Sequence, residues 1–167
     1  MDKPRAPKAF GMAFALVLLV SACSKATPAG GSGSSSYSNG GTTTSTAANT
    51  GSTGTTMSID GQSVTVHGTS DASGQTSLSV TADTDNGQNY FTPTVVTGTP
   101  GETLTVQLEN ASSTVPHNFS VDGSDVNVDL APGATDSVKV TLPASGSVTF
   151  FCEYHRAAGM VGQFTVG

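Results

Sequence analysis

Four residues whose side chains bind soft metal ions stand at short, defined spacings in the last third of this 167-residue chain. Cys152, His155 and Met160 follow one another as C-x2-H-x4-M. His117 lies upstream, in a Pro-His-Asn triplet. Two imidazoles and a thiolate in a plane, with a weak axial thioether, form the environment of a blue-copper electron-transfer centre. These residue types predict a site that binds copper and exchanges single electrons.

The two-residue period of β-strands predicts that these side chains point inward. His117 shares a strand face with Phe119, and Cys152 shares one with Phe150. Met160 is in phase with later apolar residues of its own strand. A single inward histidine, cysteine or methionine is more often a packing residue than a ligand. The combination of all four indicates a metal site.

The elements that must position these residues are strands. Residues 57–167 alternate apolar and polar side chains between turn signals rich in Gly, Pro, Asn and Asp. The clearest alternations are Leu78/Val80/Ala82, Leu104/Val106/Leu108, Val126/Val128/Leu130 and Val138/Val140/Leu142. No window in this region predicts an amphipathic helix. The pattern predicts an all-β fold, a Greek-key β-sandwich or barrel of about eight short strands.

The spacing of the four residues also carries a family resemblance. The chain resembles the plastocyanin branch of the cupredoxins in two motifs, Phe151-Cys152-x-x-His155-x4-Met160-Val161-Gly162 and Pro116-His117-Asn118. The resemblance implies a cupredoxin (plastocyanin-like) domain at residues 57–167. It implies one type 1 copper ion, with four ligands: His117, Cys152, His155 and Met160. It also implies that Asn118 braces the two ligand-bearing loops by hydrogen bonding.

Some positions depart from the plastocyanin pattern. Tyr154 stands where plastocyanins usually carry proline, and Phe151 replaces the tyrosine that precedes their cysteine. A photosynthetic partner is therefore not implied. Residues 57–74 have no clear counterpart in the family, and we expect them to add an edge strand with Val64 and Val66 facing inward.

Three further polar residues are not assigned to the copper site. His67 shares a strand face with Ser63 and Thr65, which predicts a solvated side chain. Glu153 and Arg156 are expected to be exposed charges of the ligand loop. The alternative for Arg156 is a role in setting the reduction potential or in orienting a partner.

Residues 1–22 predict a secretory signal, with a basic stretch before an apolar run. The run from Ala9 to Val20 is shorter than the about 20 residues that a bilayer span needs. Val20-Ser21-Ala22-Cys23 resembles the lipobox of bacterial lipoproteins, which implies that Cys23 carries a lipid. An uncleaved anchor and a disulfide between Cys23 and Cys152 are the alternatives. The predicted product is an exported lipoprotein on a bacterial membrane, facing the periplasm or the cell exterior.

Residues 23–56 predict the lipidated cysteine and a disordered linker. Of the 33 residues at 24–56, 24 are Gly, Ser or Thr, and none is Leu, Ile, Val or Phe. Such a segment cannot form a core. As a flexible coil it spans about 30 Å, long enough to let a domain reorient above a membrane.

Charge and missing motifs exclude several classes of function. The net charge of -6 gives the chain no attraction to nucleic acid. A binuclear copper centre needs a second cysteine in the ligand loop, and multicopper oxidases and copper nitrite reductases need more histidines. The hydrolase triad order and nucleotide-binding loops are also missing. We therefore expect a protein that is not an enzyme.

The predicted role is that of a monomeric electron carrier between redox proteins, such as a c-type cytochrome or a membrane oxidoreductase. One alternative is copper sequestration or delivery at the cell envelope. Delivery proteins tend to use exposed Met- and His-rich sites, whereas the mature domain has only Met57 besides Met160. A second alternative is a metal-free binding module that has kept the fold, although the complete ligand set disfavours it.

Overall fold

The computed structural model describes residues 46–47 and 53–167. These residues form strands β1 to β13 and one turn of 3₁₀ helix at Arg156–Ala158. The strands are, in chain order, Thr46–Ala47, Thr53–Ile59, Gln62–His67, Thr69–Asp71, Ser77–Asp85, Gln88–Thr92, Val95–Gly98, Thr103–Asn110, His117–Val121, Asn127–Leu130, Thr135–Thr141, Gly146–Phe151 and Val161–Val166. Among the described residues, no helix has the length and apolar character needed to cross a bilayer. The predicted signal, Cys23, and linker residues 24–45 and 48–52 lie outside them.

Two sheets and a separate hairpin make up the described part of the chain. One sheet has the order β1-β5-β8-β11, with β6 also paired to β5. The other has the order β10-β9-β12-β13-β7-β4, and β2 pairs only with β3. The chain passes repeatedly from one sheet to the other, for example from β7 to β8 and from β8 to β9. The predicted all-β sandwich is confirmed.

The core lies between the two sheets and is built from the residues that the alternation predicted to face inward. Four phenylalanine rings contact one another at its centre, with centroid separations of 4.9–5.9 Å: Phe91, Phe119, Phe150 and Phe164. Aliphatic side chains of the β5–β8–β11 sheet cover them: Leu78, Val80, Ala82, Leu104, Val106, Leu108 and Val140. Burial of each large apolar side chain stabilises the fold by about 1.5–3 kcal/mol. The core thus fixes the strands that carry the candidate ligands.

Three strand ends meet at one end of the second sheet. Strand β9 begins at His117, β12 ends at Phe151 and β13 begins at Val161. Phe151 pairs with Val161 on one side and with Ser120 on the other. Because these neighbouring strands are antiparallel, the start of β9 and the connection between β12 and β13 lie beside each other. The register brings residues 117, 152 and 160 to the same end of the sheet.

The N-terminal part of the domain contains the expected edge strand, and it also contains a hairpin that the sequence did not predict. The edge strand is β4, which pairs in parallel with β7, whereas residues 53–67 form the separate β2–β3 hairpin. Val64 and Val66 are buried as expected. Strand β2 starts inside the segment predicted as linker, because strand pairing uses backbone groups and the β-branched threonines there favour strands. With such short strands included, the described residues contain thirteen strands rather than about eight.

Candidate metal centre

Three side chains from two parts of the chain converge at this end of the sheet. The potential ligand atoms of His117, Cys152 and His155 all lie within 4.8 Å of one another. The Sγ atom of Cys152 is 3.4 Å from Nδ1 of His155. The rings of the two histidines meet edge to face, with centroids 5.2 Å apart. One metal ion can contact all three residues only if the donor atoms are this close together.

His117 presents one nitrogen to this cluster and anchors the other. Its side chain is fully buried, and its Nδ1 has no hydrogen-bond partner. Its Nε2 lies 3.0 Å from Oγ1 of Thr84. Since the Thr84 hydroxyl donates to Oδ1 of Asn89 at 2.6 Å, it accepts the Nε2–H proton of His117. This tautomer leaves a lone pair on the orphaned Nδ1, as a metal ligand requires.

Burial keeps both His117 and Cys152 uncharged in the metal-free protein. Burial, assisted by repulsion from His155, lowers the pKa of His117 to about 4, although nearby Asp83 opposes the shift. Burial raises the pKa of the Cys152 thiol, although the backbone N–H of Asn118 favours the thiolate and donates to Sγ at 3.3 Å. The imidazole is therefore free to bind at neutral pH. The thiol must lose its proton to a bound metal.

Backbone hydrogen bonds hold the loop that carries His155 and Met160. The Cys152 N–H donates to the Met160 carbonyl at 3.1 Å, and the Met160 N–H donates to the His155 carbonyl at 3.2 Å. The His155 N–H donates to the Cys152 carbonyl at 3.1 Å. The short 3₁₀ helix ends at Gly159, whose φ of 90° lies in the left-handed region that favours glycine. The fully buried Met160 is thus tied through its backbone to both Cys152 and His155.

Asn118 connects the two segments that carry the candidate ligands. Its Oδ1 accepts from the Ser120 hydroxyl at 2.7 Å and from the Glu153 N–H at 3.4 Å. Its Nδ2 donates to Asn127 at 2.7 Å and to Asp129 at 3.1 Å. The side chain is fully buried, and the residue's backbone N–H contacts Cys152 Sγ. One residue therefore ties the start of β9 to both the cysteine and the residue after it.

Two expectations for residues near this end of the molecule are wrong. Arg156 is not a free loop charge, because its guanidinium binds the carboxylates of Asp60 and Asp122 at 2.8 Å and 2.9 Å. His67 is half-buried rather than solvated, because its ring stacks on Tyr90 at 3.8 Å. In each case a residue distant in sequence covers a side chain whose strand or loop position predicted exposure.

Thr84 and Asn89 were missed by sequence reasoning, although they orient His117. Both lie in the β5–β6 hairpin, and Thr84 is 33 residues from the histidine. Threonine and asparagine at the end of a hairpin are common turn residues. No local signal separates this pair from ordinary turn chemistry.

The donor set fits a copper ion. Two imidazoles, one with an orphaned nitrogen, are ligands that Cu(II) prefers. The buried thiol and the thioether in the same loop are ligands that Cu(I) prefers. The two nitrogens and the sulfur already lie close together, with Nε2 of His117 held by Thr84 and Sγ of Cys152 held by the Asn118 N–H. His67 lies outside this cluster.

Comparison with known proteins gives the family that the sequence motifs resemble. A family model described as a cupredoxin-like domain matches residues 56–166. The minor plastocyanin isoform of Arabidopsis thaliana is 36% identical over 101 residues, 53% of this chain and 57% of that protein. The plastocyanin of Chlamydomonas reinhardtii is 39% identical over 94 residues, 49% of this chain and 61% of that protein. The chain thus spans less than two thirds of the length of these chloroplastic relatives.

A shorter relative is covered almost completely. The plastocyanin of Mercurialis perennis is 36% identical over 103 residues, 53% of this chain and 99% of that protein. Among solved structures, auracyanin from the photosynthetic bacterium Roseiflexus castenholzii aligns with a TM-score of 0.47 and 22% identity, over 56% of this chain and 98% of that one. The family model covers well over half of the chain and includes every residue of the cluster. The chain therefore belongs to the cupredoxin family, as a plastocyanin-like member.

Proposed function

We propose that this protein is an electron carrier that binds one type 1 copper ion. The ligands are His117, Cys152, His155 and Met160. The observation that carries the proposal is the convergence of two imidazoles and a thiol within 4.8 Å, with Nδ1 of His117 buried and without a partner. A buried nitrogen that lacks a hydrogen bond is costly unless a ligand occupies it.

When bound, copper supplies a one-electron couple between Cu(I) and Cu(II). The chain favours one arrangement of its donors for both oxidation states, because three of the four proposed ligand residues are fixed by a second contact. Thr84 holds His117, the Asn118 N–H holds the Cys152 sulfur, and loop hydrogen bonds hold His155. Small rearrangement on reduction permits rapid electron transfer. An electron-transfer role requires no group that transforms a substrate, so we propose that the protein is not an enzyme.

Burial of the donors favours electron transfer over copper delivery. His117, Cys152 and Met160 are fully buried, whereas a delivery site must release its metal. His155 is the one proposed ligand that reaches the surface, where it is half-buried. Exposed apolar residues around it, Pro116, Ala157 and Ala158, are suited to a close, short-lived contact with a redox partner.

We also propose the cellular setting that the N-terminal sequence predicts. A lipid on Cys23 anchors an exported, monomeric domain to a bacterial membrane, on the periplasmic or outer side. The linker predicted from the sequence lets the domain move between redox proteins such as a c-type cytochrome and a membrane oxidoreductase. The support is the signal-like layout of residues 1–22 and the lipobox-like segment that ends at Cys23.

Spectroscopy and metal exchange test the copper assignment. Reconstituted with Cu(II), the domain should show an intense visible band from thiolate-to-copper charge transfer, and Cys152→Ser should abolish it. A colourless, weakly binding wild-type domain would contradict the proposal. Slow copper loss to a chelator, together with fast electron exchange with a cytochrome, supports carriage. Fast copper loss with slow electron exchange would indicate delivery instead.

A further inference from the structure

Arg156, the residue directly after His155, joins three separate parts of the domain. Its Nε and Nη2 donate to Oδ2 of Asp60 at 3.0 Å and 2.8 Å. Its Nη1 and Nη2 donate to Oδ1 and Oδ2 of Asp122 at 3.0 Å and 2.9 Å, a two-pronged contact. The guanidinium carbon lies 3.9 Å above the ring centre of Phe151. The edge of the planar guanidinium thus binds the two carboxylates, and its face packs on the aromatic ring.

The two carboxylates belong to residues at the ends of strands. Asp60 forms the turn of the β2–β3 hairpin, with a φ of 53°. Asp122 follows β9, and its N–H donates to the Thr149 carbonyl of β12 at 3.0 Å. Arg156 therefore connects the ligand loop to the N-terminal hairpin on one side and to the strand that begins at His117 on the other.

The hairpin is also packed against the strands that flank the ligand loop. Ile59 and Val64 form a small buried cluster with Val161, and the partly buried Met57 and Phe151 pack against it. Phe151 and Val161 are the residues next to Cys152 and Met160. The hairpin thus packs against both ends of the ligand loop, and Arg156 joins the middle of that loop to the turn of the hairpin.

We propose that Arg156 is a positioning residue and that the β2–β3 hairpin braces the copper-binding loop through it. This inference rests on the proposed copper function. It gives the β2–β3 hairpin, residues 53–67, a role in the metal site. Surface ion pairs contribute little to stability, but a two-pronged arginine contact fixes orientation. Because His155 directly precedes Arg156 in the chain, fixing Arg156 also restrains His155.

The pairing also removes Arg156 from any role in attracting a partner. Its charge is neutralised by two carboxylates on the same protein. Among residues 57–167 the other basic residue is Lys139, in β11 of the opposite sheet, against 11 acidic residues. Arg156 therefore acts inward, on the loop, rather than outward.

The test uses the copper-loaded protein and variants that leave every proposed ligand in place. Asp60→Asn removes one carboxylate 96 residues from Arg156, and Arg156→Lys keeps the charge but loses the fork. Both should change the electron paramagnetic resonance spectrum of the Cu(II) protein and slow electron self-exchange. Both should also speed amide hydrogen exchange at residues 155–160 about tenfold. Asp60→Glu, which keeps a carboxylate, should restore wild-type values in part.

Asp136→Asn is the matched control, because it makes the same charge change at an exposed position on the opposite sheet. It should leave the spectrum and the loop exchange unchanged. If Asp60→Asn and Arg156→Lys lower the melting temperature but keep the wild-type spectrum, self-exchange rate and loop protection, the contact only stabilises the fold. That result would overturn the inference. A colourless wild-type protein would instead overturn the copper function on which it rests.

Discussion

The Nε2 atom of His117 lies 3.0 Å from Oγ1 of Thr84, in a hairpin of the opposite sheet. This hydrogen bond crosses between the two layers of the sandwich. Because the Thr84 hydroxyl donates its hydrogen bond to Asn89, it can only accept a hydrogen bond from the histidine. The contact selects the imidazole tautomer that leaves Nδ1 open toward Cys152 and His155.

Thr84→Val should weaken copper binding, since valine matches the shape of threonine but cannot accept the Nε2–H proton. Loss of a partner that orients a ligand histidine typically lowers metal affinity roughly 10–100-fold. A competition titration with a copper chelator measures the change, and ¹⁵N NMR of the metal-free protein reports the tautomer. Thr84→Ser should behave like the wild type. Equal affinity in Thr84→Val and the wild type would show that packing alone orients the ring.

Asn118→Ala should destabilise the domain by about 1–3 kcal/mol, the usual cost of leaving buried polar groups without partners. The buried Ser120 hydroxyl and the Glu153 N–H both lose their acceptor. Urea unfolding of the metal-free protein measures the loss. Asn127→Ala, which removes an exposed partner of the same network, is the control and should cost less. A smaller effect for Asn118→Ala than for Asn127→Ala would refute the bracing role of Asn118.

Gly162→Ala should destabilise the domain by about 1–3 kcal/mol through overpacking. A Cβ atom at this position would overlap the Phe150 ring and lie 2.6 Å from the Thr94 carbonyl oxygen. That oxygen is held in place because it accepts from the Gln163 N–H at 2.9 Å. Gly167→Ala is the matched control, since a Cβ there meets nothing within 4 Å. Equal thermal unfolding midpoints for the two variants would contradict the prediction.

Acid should destabilise the domain partly through His67. Burial lowers the pKa of His67 in the folded state, so the unfolded chain binds a proton at a higher pH than the folded one. The associated stability is complete above the unfolded pKa of about 6.5 and declines as the pH falls below it.

His67→Phe removes the titrating group and keeps a ring against Tyr90, with which His67 stacks. The variant should therefore lose less stability than the wild type between pH 7.5 and pH 5, as measured by urea unfolding at the two values. The same loss in both proteins would mean that the stacked histidine is protonated equally in the folded and unfolded states.

The sequence alone predicted the fold class and most of the site. Alternation at the two-residue period identified the core strands, and the spacing C-x2-H-x4-M placed three candidate ligands in one loop. These signals are local: each depends on the phase of one strand or the length of one loop. His117, in another segment, was found because its strand phase and its neighbours Pro116 and Asn118 matched a family motif.

Only the tertiary structure decided which distant residues contact His117 and the loop of the candidate site. The partners of His117 and Arg156 are Thr84, Asp60 and Asp122, which are separated from them by 33, 96 and 34 positions. Thr, Asn and Asp at hairpin ends are ordinary turn residues, so composition cannot reveal that one of them contacts a ligand. Such contacts depend on how two sheets and a hairpin pack together. The sequence therefore determined which residues are proposed as ligands, and the packing of non-local elements determined which contacts position them.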